Sequence, residues 1–190
     1  MIINYSKAIE TVNRMIREYE SNKPLIIAID GRSASGKTTF AEKFDCPIIH
    51  TDDFFRPRDN NGKINMEEYS GNFDISRFKT EIIDKLHSGE VITYGVFDCS
   101  VGAVTKTVTA DRSNCYIVEG AYSLHPELGD YADLKIFFNI DKELQIKRIT
   151  SRNGADGLKN FLCLWIPAEE RYMDFYNIEN KCNFTVKAEV

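Results

Sequence analysis

Residues 31–38, Gly31-Arg32-Ser33-Ala34-Ser35-Gly36-Lys37-Thr38, spell a complete GxxxxGK[ST] phosphate loop, and the apolar run 25–29 stands directly before them. Few folds can place a strand, a glycine loop and a helix start in that order. The glycines let successive backbone N–H groups curl around phosphate oxygens, Lys37 reaches the β and γ phosphates, and the Thr38 hydroxyl ligates Mg²⁺. The expected cradle is Gly31, Ser33, Ala34, Ser35, Gly36, Lys37, Thr38 and Thr39, with ATP as the default donor.

A chain of 190 residues suits one domain spanning 1–190 and can bury a substantial core. The 24 Lys and Arg against 29 Asp and Glu give a net charge of −5, which argues against a broad nucleic-acid footprint. The five cysteines are scattered with no CxxC pair beside only three histidines, so neither zinc nor disulfides are expected. A reducing, cytoplasmic setting follows. Residues 1–20 alternate apolar and charged positions at helical spacing, unlike a signal peptide or a membrane span.

Ile9, Val12, Ile16 and Tyr19 predict an amphipathic helix over about 5–20, and a core follows over about 23–186. A helix is expected over 37–44, then a short apolar run, 47–51, ending in Asp52 and Asp53. Residues 56–71 are polar and rich in Asn, Gly and charge, which reads as a flap. Helical spacing returns over 74–86, with Ser76 or Asp74 as cap and Gly89 as the stop. Residues 91–109 read as a small antiparallel hairpin over the acceptor site, and 115–118 and 134–140 as buried strands parallel to the first. Asp141 should cap a helix through about 152, a second helical stretch covers 158–176, and 183–186 suits a last strand. The pattern implies an α/β fold of three layers with a central parallel sheet. Ligands should gather at the strands' carboxyl ends.

A phosphate loop does not by itself separate a kinase from a switch, so the acids on neighbouring strands decide. Asp52 follows Ile48 and Ile49 on a strand expected beside the first, where its carboxylate could take the proton of an acceptor hydroxyl. Asp53 competes for that role. Glu119 ends the run 115–118 and precedes Gly120, the strand-then-acid arrangement that holds Mg²⁺ directly or through water. Arg148 and Arg152 lie four apart on one helix face and could close on the triphosphate. Trp165, with Phe161, Leu162 and Leu164, reads as helix packing, with an acceptor wall or a homo-oligomer contact as alternatives, and the histidines receive no role. The competing class is an NTP-binding regulatory or switch protein, for which Asp59-Asn60-Asn61-Gly62 and Asn180-Lys181-Cys182-Asn183 are weak signals.

These motifs, with Thr51-Asp52-Asp53-Phe54-Phe55-Arg56, Asn72-Phe73-Asp74, Val96-Phe97-Asp98, Ile117-Val118-Glu119-Gly120 and Lys147-Arg148-Ile149, resemble the uridine kinase and phosphoribulokinase family over roughly residues 23–186. The resemblance implies a P-loop kinase core, a small β appendage over the acceptor and an arginine-bearing lid over about 142–176. It implies ATP and Mg²⁺ as cofactors and a small-molecule hydroxyl acceptor, such as a nucleoside or a related sugar-containing metabolite. It makes Asp52 the catalytic base and a metal neighbour, Glu119 the magnesium-associated acid, and Asp74 the group on acceptor hydroxyls. Asp98, Phe73 and Phe97 fall at acceptor positions, and Arg148 with Arg152 at the lid pair. Uridine and cytidine kinases place a histidine and then an arginine after the Val96-Phe97-Asp98 segment, and here those positions are Gly102 and Val104. The family's tyrosine is Phe97, so a pyrimidine's polar edge loses partners.

Overall fold

The computed structural model describes residues 1–86, 88 and 90–188. In chain order, strand β1 (Ile2–Ile3) leads into helix α1 (Tyr5–Glu18), strand β2 (Leu25–Gly31), the phosphate loop and helix α2 (Lys37–Ala41). Strand β3 (Ile48–His50) runs into a 3₁₀ turn, Thr51–Phe54, and the flap leads to α3 (Ile75–Phe78), a π turn (Lys79–Ile83) and α4 (Asp84–Leu86). Then come β4 (Ile92–Asp98), β5 (Ala103–Ala110), β6 (Cys115–Glu119) and β7 (Leu134–Asn139). Helix α5 (Lys142–Asn160), a second π turn (Phe161–Trp165), α6 (Ile166–Tyr176), α7 (Ile178–Lys181) and β8 (Phe184–Lys187) complete the chain.

The sheet order is β1-β8-β7-β2-β6-β3, and every pairing is parallel. Strands β2 and β6 are buried at every residue, as strands covered on both faces must be. Their side chains alternate between two cores: Ile26 and Ala28 face one, Leu25, Ile27 and Ile29 the other. Helix α1 packs Ala8 and Val12 against the second core, and Asn4 caps it by accepting from Lys7 N at 2.8 Å.

One expectation is corrected. β3 does not lie beside β2, because β6 inserts between them and pairs with both. The half-exposed, three-residue β3 suits an edge, whereas β6, apolar from Cys115 to Val118 and buried throughout, gains more from a central place. The inserted strand is the one that carries Glu119, so two acids still end adjacent strands.

Other elements differ in detail. Helix α2 stops at Ala41, and its last turn tightens into i→i+3 bonds from Lys43 N to Phe40 O and from Phe44 N to Ala41 O. Asp74 rather than Ser76 caps α3, accepting from Arg77 N at 3.0 Å, and the stop expected at Gly89 lies outside the described residues. Asp141 stands at the N-cap of α5 but makes no capping bond, its carboxylate pairing instead with Lys187 at 3.1 Å. The two expected lid helices form one arch, broken at Gly154 (φ 70°, ψ −179°) and again at the second π turn.

β4 and β5 form the expected hairpin outside the main sheet, with a register shift between Val96 and Phe97. The flap closes on itself through the bridge Phe55↔Phe73, so residues 56–71 leave and rejoin the body at one place.

Candidate functional site

The phosphate loop lies where β2 ends at the sheet's carboxyl edge. Lys37 is 8% exposed, and its ammonium donates to the carbonyls of Gly31 at 2.8 Å and Arg32 at 2.9 Å, folded back across its own loop. Among the described residues the buried Ser35 hydroxyl has no hydrogen-bond partner. A lysine and a hydroxyl on an N–H-rich loop match an anionic ligand.

Asp30, just before the loop, was not anticipated. Its carboxylate is fully buried and accepts from Gly31 N at 2.7 Å, Leu124 N at 2.9 Å and the Tyr172 hydroxyl at 2.6 Å. Burial raises its pKa against those bonds. Asp30 therefore pins β2, the loop after β6 and α6 to one point, and fixes where the phosphate loop starts.

Glu119 and Thr38 meet, the Thr38 hydroxyl donating to Glu119 Oε1 at 3.0 Å. His50, given no role from sequence, sits on the same oxygen, with Nδ1 2.5 Å away. Burial works against the Glu119 charge, but the His50 bond and the Lys37 charge outweigh it, so the net shift of its pKa is downward. The bond to Glu119 correspondingly raises His50. Only its place before Thr51-Asp52 could have flagged His50, since a lone histidine has no ligand spacing.

Asp52 is exposed in the turn just after β3. Desolvation by the surrounding protein, reinforced by Glu119, raises its carboxyl pKa against the pull of Lys37 and His50. Asp53 lines a cleft of about 410 Å³ between β3 and the hairpin, together with His50, Tyr94 and Lys106.

Thr38, Glu119 and Asp52 could attend a Mg²⁺ ion. Among the described residues no three or more His, Cys, Asp or Glu form a metal cage. That donor set, one hydroxyl and two carboxylates at the loop, fits Mg²⁺, which keeps waters and phosphate oxygens as ligands.

The lid arginines part company. Arg148 Nη1 donates to Ala34 O at 3.1 Å and lies 3.9 Å from where a Cβ on Gly36 would stand, over the loop. Arg152 is exposed, bonded to Asn153 Oδ1 at 2.8 Å and set over the Phe161 ring. Between them the drift of 3.6 residues per turn and the nearby break at Gly154 turn Arg152 away.

On the acceptor side Phe73 is wholly buried, packed on Phe78 and Tyr122, and offers no surface to the cleft. The aromatic surface is made instead by Phe55, stacked on Trp165 at 5.7 Å and edge-on to Phe97 at 6.0 Å. Asp74 spends one oxygen on its helix cap, and Asp98 accepts from Ser100 N at 2.8 Å in the hairpin turn. At Gly102 a Cβ would meet Arg58 Cδ at 2.8 Å, so the flap's Arg58 side chain lies against the hairpin turn.

No family model matches the chain. It is 28% identical over 152 residues to a uridine kinase of Limosilactobacillus reuteri, covering 72% of this chain and 68% of that one. It is 24% identical over 152 residues to uridine kinase-like protein 5 of Arabidopsis thaliana, covering 73% of this chain. The chain spans about a third of that plant protein, 32%. Among solved structures, that of a possible uridine kinase from Bacillus stearothermophilus superposes with a TM-score of 0.71 at 17% identity, over 95% of this chain and 98% of the other. Among the described residues, no helix is long and apolar enough to cross a membrane.

Proposed function

We propose that this relative of the uridine kinase-like P-loop kinases transfers the γ-phosphoryl group of ATP to a hydroxyl of a small, sugar-containing molecule. The observation that carries the reading is the convergence of Lys37, Thr38, Glu119 and Asp52 at the carboxyl ends of β2, β6 and β3, beside a loop built for phosphate. Glu119 and Thr38 would hold Mg²⁺, which supplies charge neutralisation at the phosphates when bound. Asp52 takes the acceptor proton as the new bond to phosphorus forms. Its raised pKa keeps it a stronger base than an ordinary carboxylate. Lys37 swings from its own loop carbonyls to the phosphates, and Arg148 adds charge above the loop.

Phe55, Phe97 and Trp165 support an acceptor with an apolar face, such as the ring of a nucleoside or sugar derivative. Arg58 across Gly102 supports an acceptor other than uridine held in the usual way. The test is ADP release with Mg-ATP over a panel of nucleosides, sugars, sugar phosphates and vitamin precursors. Turnover with one class identifies the substrate; tight ATP binding with no stimulation by any acceptor would favour a regulatory protein instead.

The lid supplies a second check. Arg148→Ala is expected to lower kcat about 100-fold, because it removes a cation held over the loop. Arg152→Ala should change kcat by less than about threefold, as for an exposed charge. Equal losses in steady-state assays would show that the arch rearranges to bring both arginines in.

A further inference from the structure

The first half of the phosphate loop is held by the arch. Glu169 on α6 is 6% exposed, and its Oε2 accepts from Ser33 N at 3.0 Å while Oε1 takes a short bond from the Ser33 hydroxyl. Next along the helix, Glu170 grips Arg32 with both oxygens, at 2.7 and 2.8 Å. From α5, Gln145 Nε2 donates to Ser33 O at 3.0 Å. A buried carboxylate thus occupies an N–H and a hydroxyl inside a loop whose donors otherwise suit phosphate.

We propose that Glu169 is a proton-carrying clasp on the phosphate loop: it holds Ser33 as a carboxylate when the cradle is empty and takes up a proton when a nucleoside triphosphate enters.

The physical reason is charge crowding. The groups facing Glu169 are Ser33 and Lys37 of the loop and α2, Asp52 after β3, and Tyr122 after β6, with Glu170 and Arg171 beside it on α6. Of the nearby cations Lys37 pulls on Glu169 directly, but Arg32 is bound to Glu170. Burial already lifts the carboxyl pKa to about 7, against Lys37 and the two Ser33 bonds. A triphosphate adds several negative charges and draws Lys37 towards itself, and both changes favour the protonated acid. The neutral carboxyl keeps its carbonyl on Ser33 N–H and turns its O–H towards Ser33 Oγ or a phosphate oxygen. Glu169 is a positioning residue here, acting on nucleotide through Ser33.

The sign is fixed by linkage. Binding that takes up a proton weakens as pH rises through the free-state pKa, by at most about tenfold per pH unit for one group. This inference rests on the nucleotide-binding reading, so the experiment separates the two. Binding of a non-hydrolysable, imido-bridged ATP analogue with Mg²⁺ is measured by calorimetry at pH 7.5 in buffers of different ionisation enthalpy. Wild type is expected to take up at least about half a proton more than Glu169→Gln, and to lose affinity several-fold between pH 7 and 8.5 where the variant stays nearly flat. Should Glu169→Gln fail to fold, Glu169→Asp, which withdraws the carboxylate from Ser33, carries the same comparison. Saturable binding with equal proton uptake in wild type and variant overturns the clasp and leaves the nucleotide reading intact. No saturable binding in wild type sinks both.

Discussion

Asp52→Asn is expected to lower kcat for acceptor phosphorylation by about 10³-fold while leaving affinity for ATP within a few-fold. The amide keeps the size and much of the hydrogen bonding of the carboxylate but cannot accept the proton. Its neighbours make the expectation specific. Asp52 feels the charges of Glu119 and Lys37, whereas Asp53 lines the cleft under the hairpin with Lys106, so Asp53→Asn should cost less than about tenfold. Steady-state ADP release with the best acceptor, paired with calorimetric ATP binding, reads both. Full activity in Asp52→Asn and loss in Asp53→Asn would exchange the assignment. The pH profile adds a sign: the base works only ionised, so kcat/KM falls as pH drops through the raised Asp52 pKa.

Gly31→Ala is expected to prevent folding or to destabilise the chain by about 4 kcal/mol or more, without reference to nucleotide. Gly31 pairs with Phe138 of β7 and has φ 132°. An added Cβ would stand 2.1 Å from Phe138 O and 2.7 Å from its N, both backbone atoms that cannot step aside. At Gly36, the other glycine of the motif, a Cβ would meet nothing closer than the flexible Arg148 guanidinium at 3.9 Å. Gly36→Ala should therefore fold, at the strain of a φ of 102°, and fail chiefly in nucleotide binding. Denaturant unfolding of both variants without ligand checks the contrast, and a Gly31→Ala protein of near-normal stability would count against it.

That contrast shows where the sequence could be read and where it could not. The motif assigns every glycine to phosphate, but Gly31 answers first to a neighbouring strand, and no spacing reveals which strand that is. The apolar runs of β2 and β6 were legible because fully buried parallel strands carry no polar alternation, and β7 keeps the pattern apart from Lys135 and Asn139. Their order was not, since β6 between β2 and β3 is a matter of competition for the centre. Lys37 and Thr38 were legible through the loop motif, and Asp52 and Glu119 through their place just after apolar runs. Glu169 was not: within Ile166-Pro167-Ala168-Glu169-Glu170 it looks like any acid in a first helical turn, and only the return of α6 to the loop makes it part of the site. Phe73 and Trp165 changed places for a similar reason, because two aromatic residues look alike until packing decides which one is enclosed.

The arch between Arg148 and Glu169 has both feet on one support, the loop residues 32–34. A span anchored in this way can gain or lose residues between its feet without moving either one, and each doubling of its length costs only about 0.6 kcal/mol. Trp165 hangs from that span over Phe55. Descendants of this chain can therefore reshape the aromatic surface beside Phe55 by trading segments in the middle of the arch, while the loop under its feet is inherited unchanged.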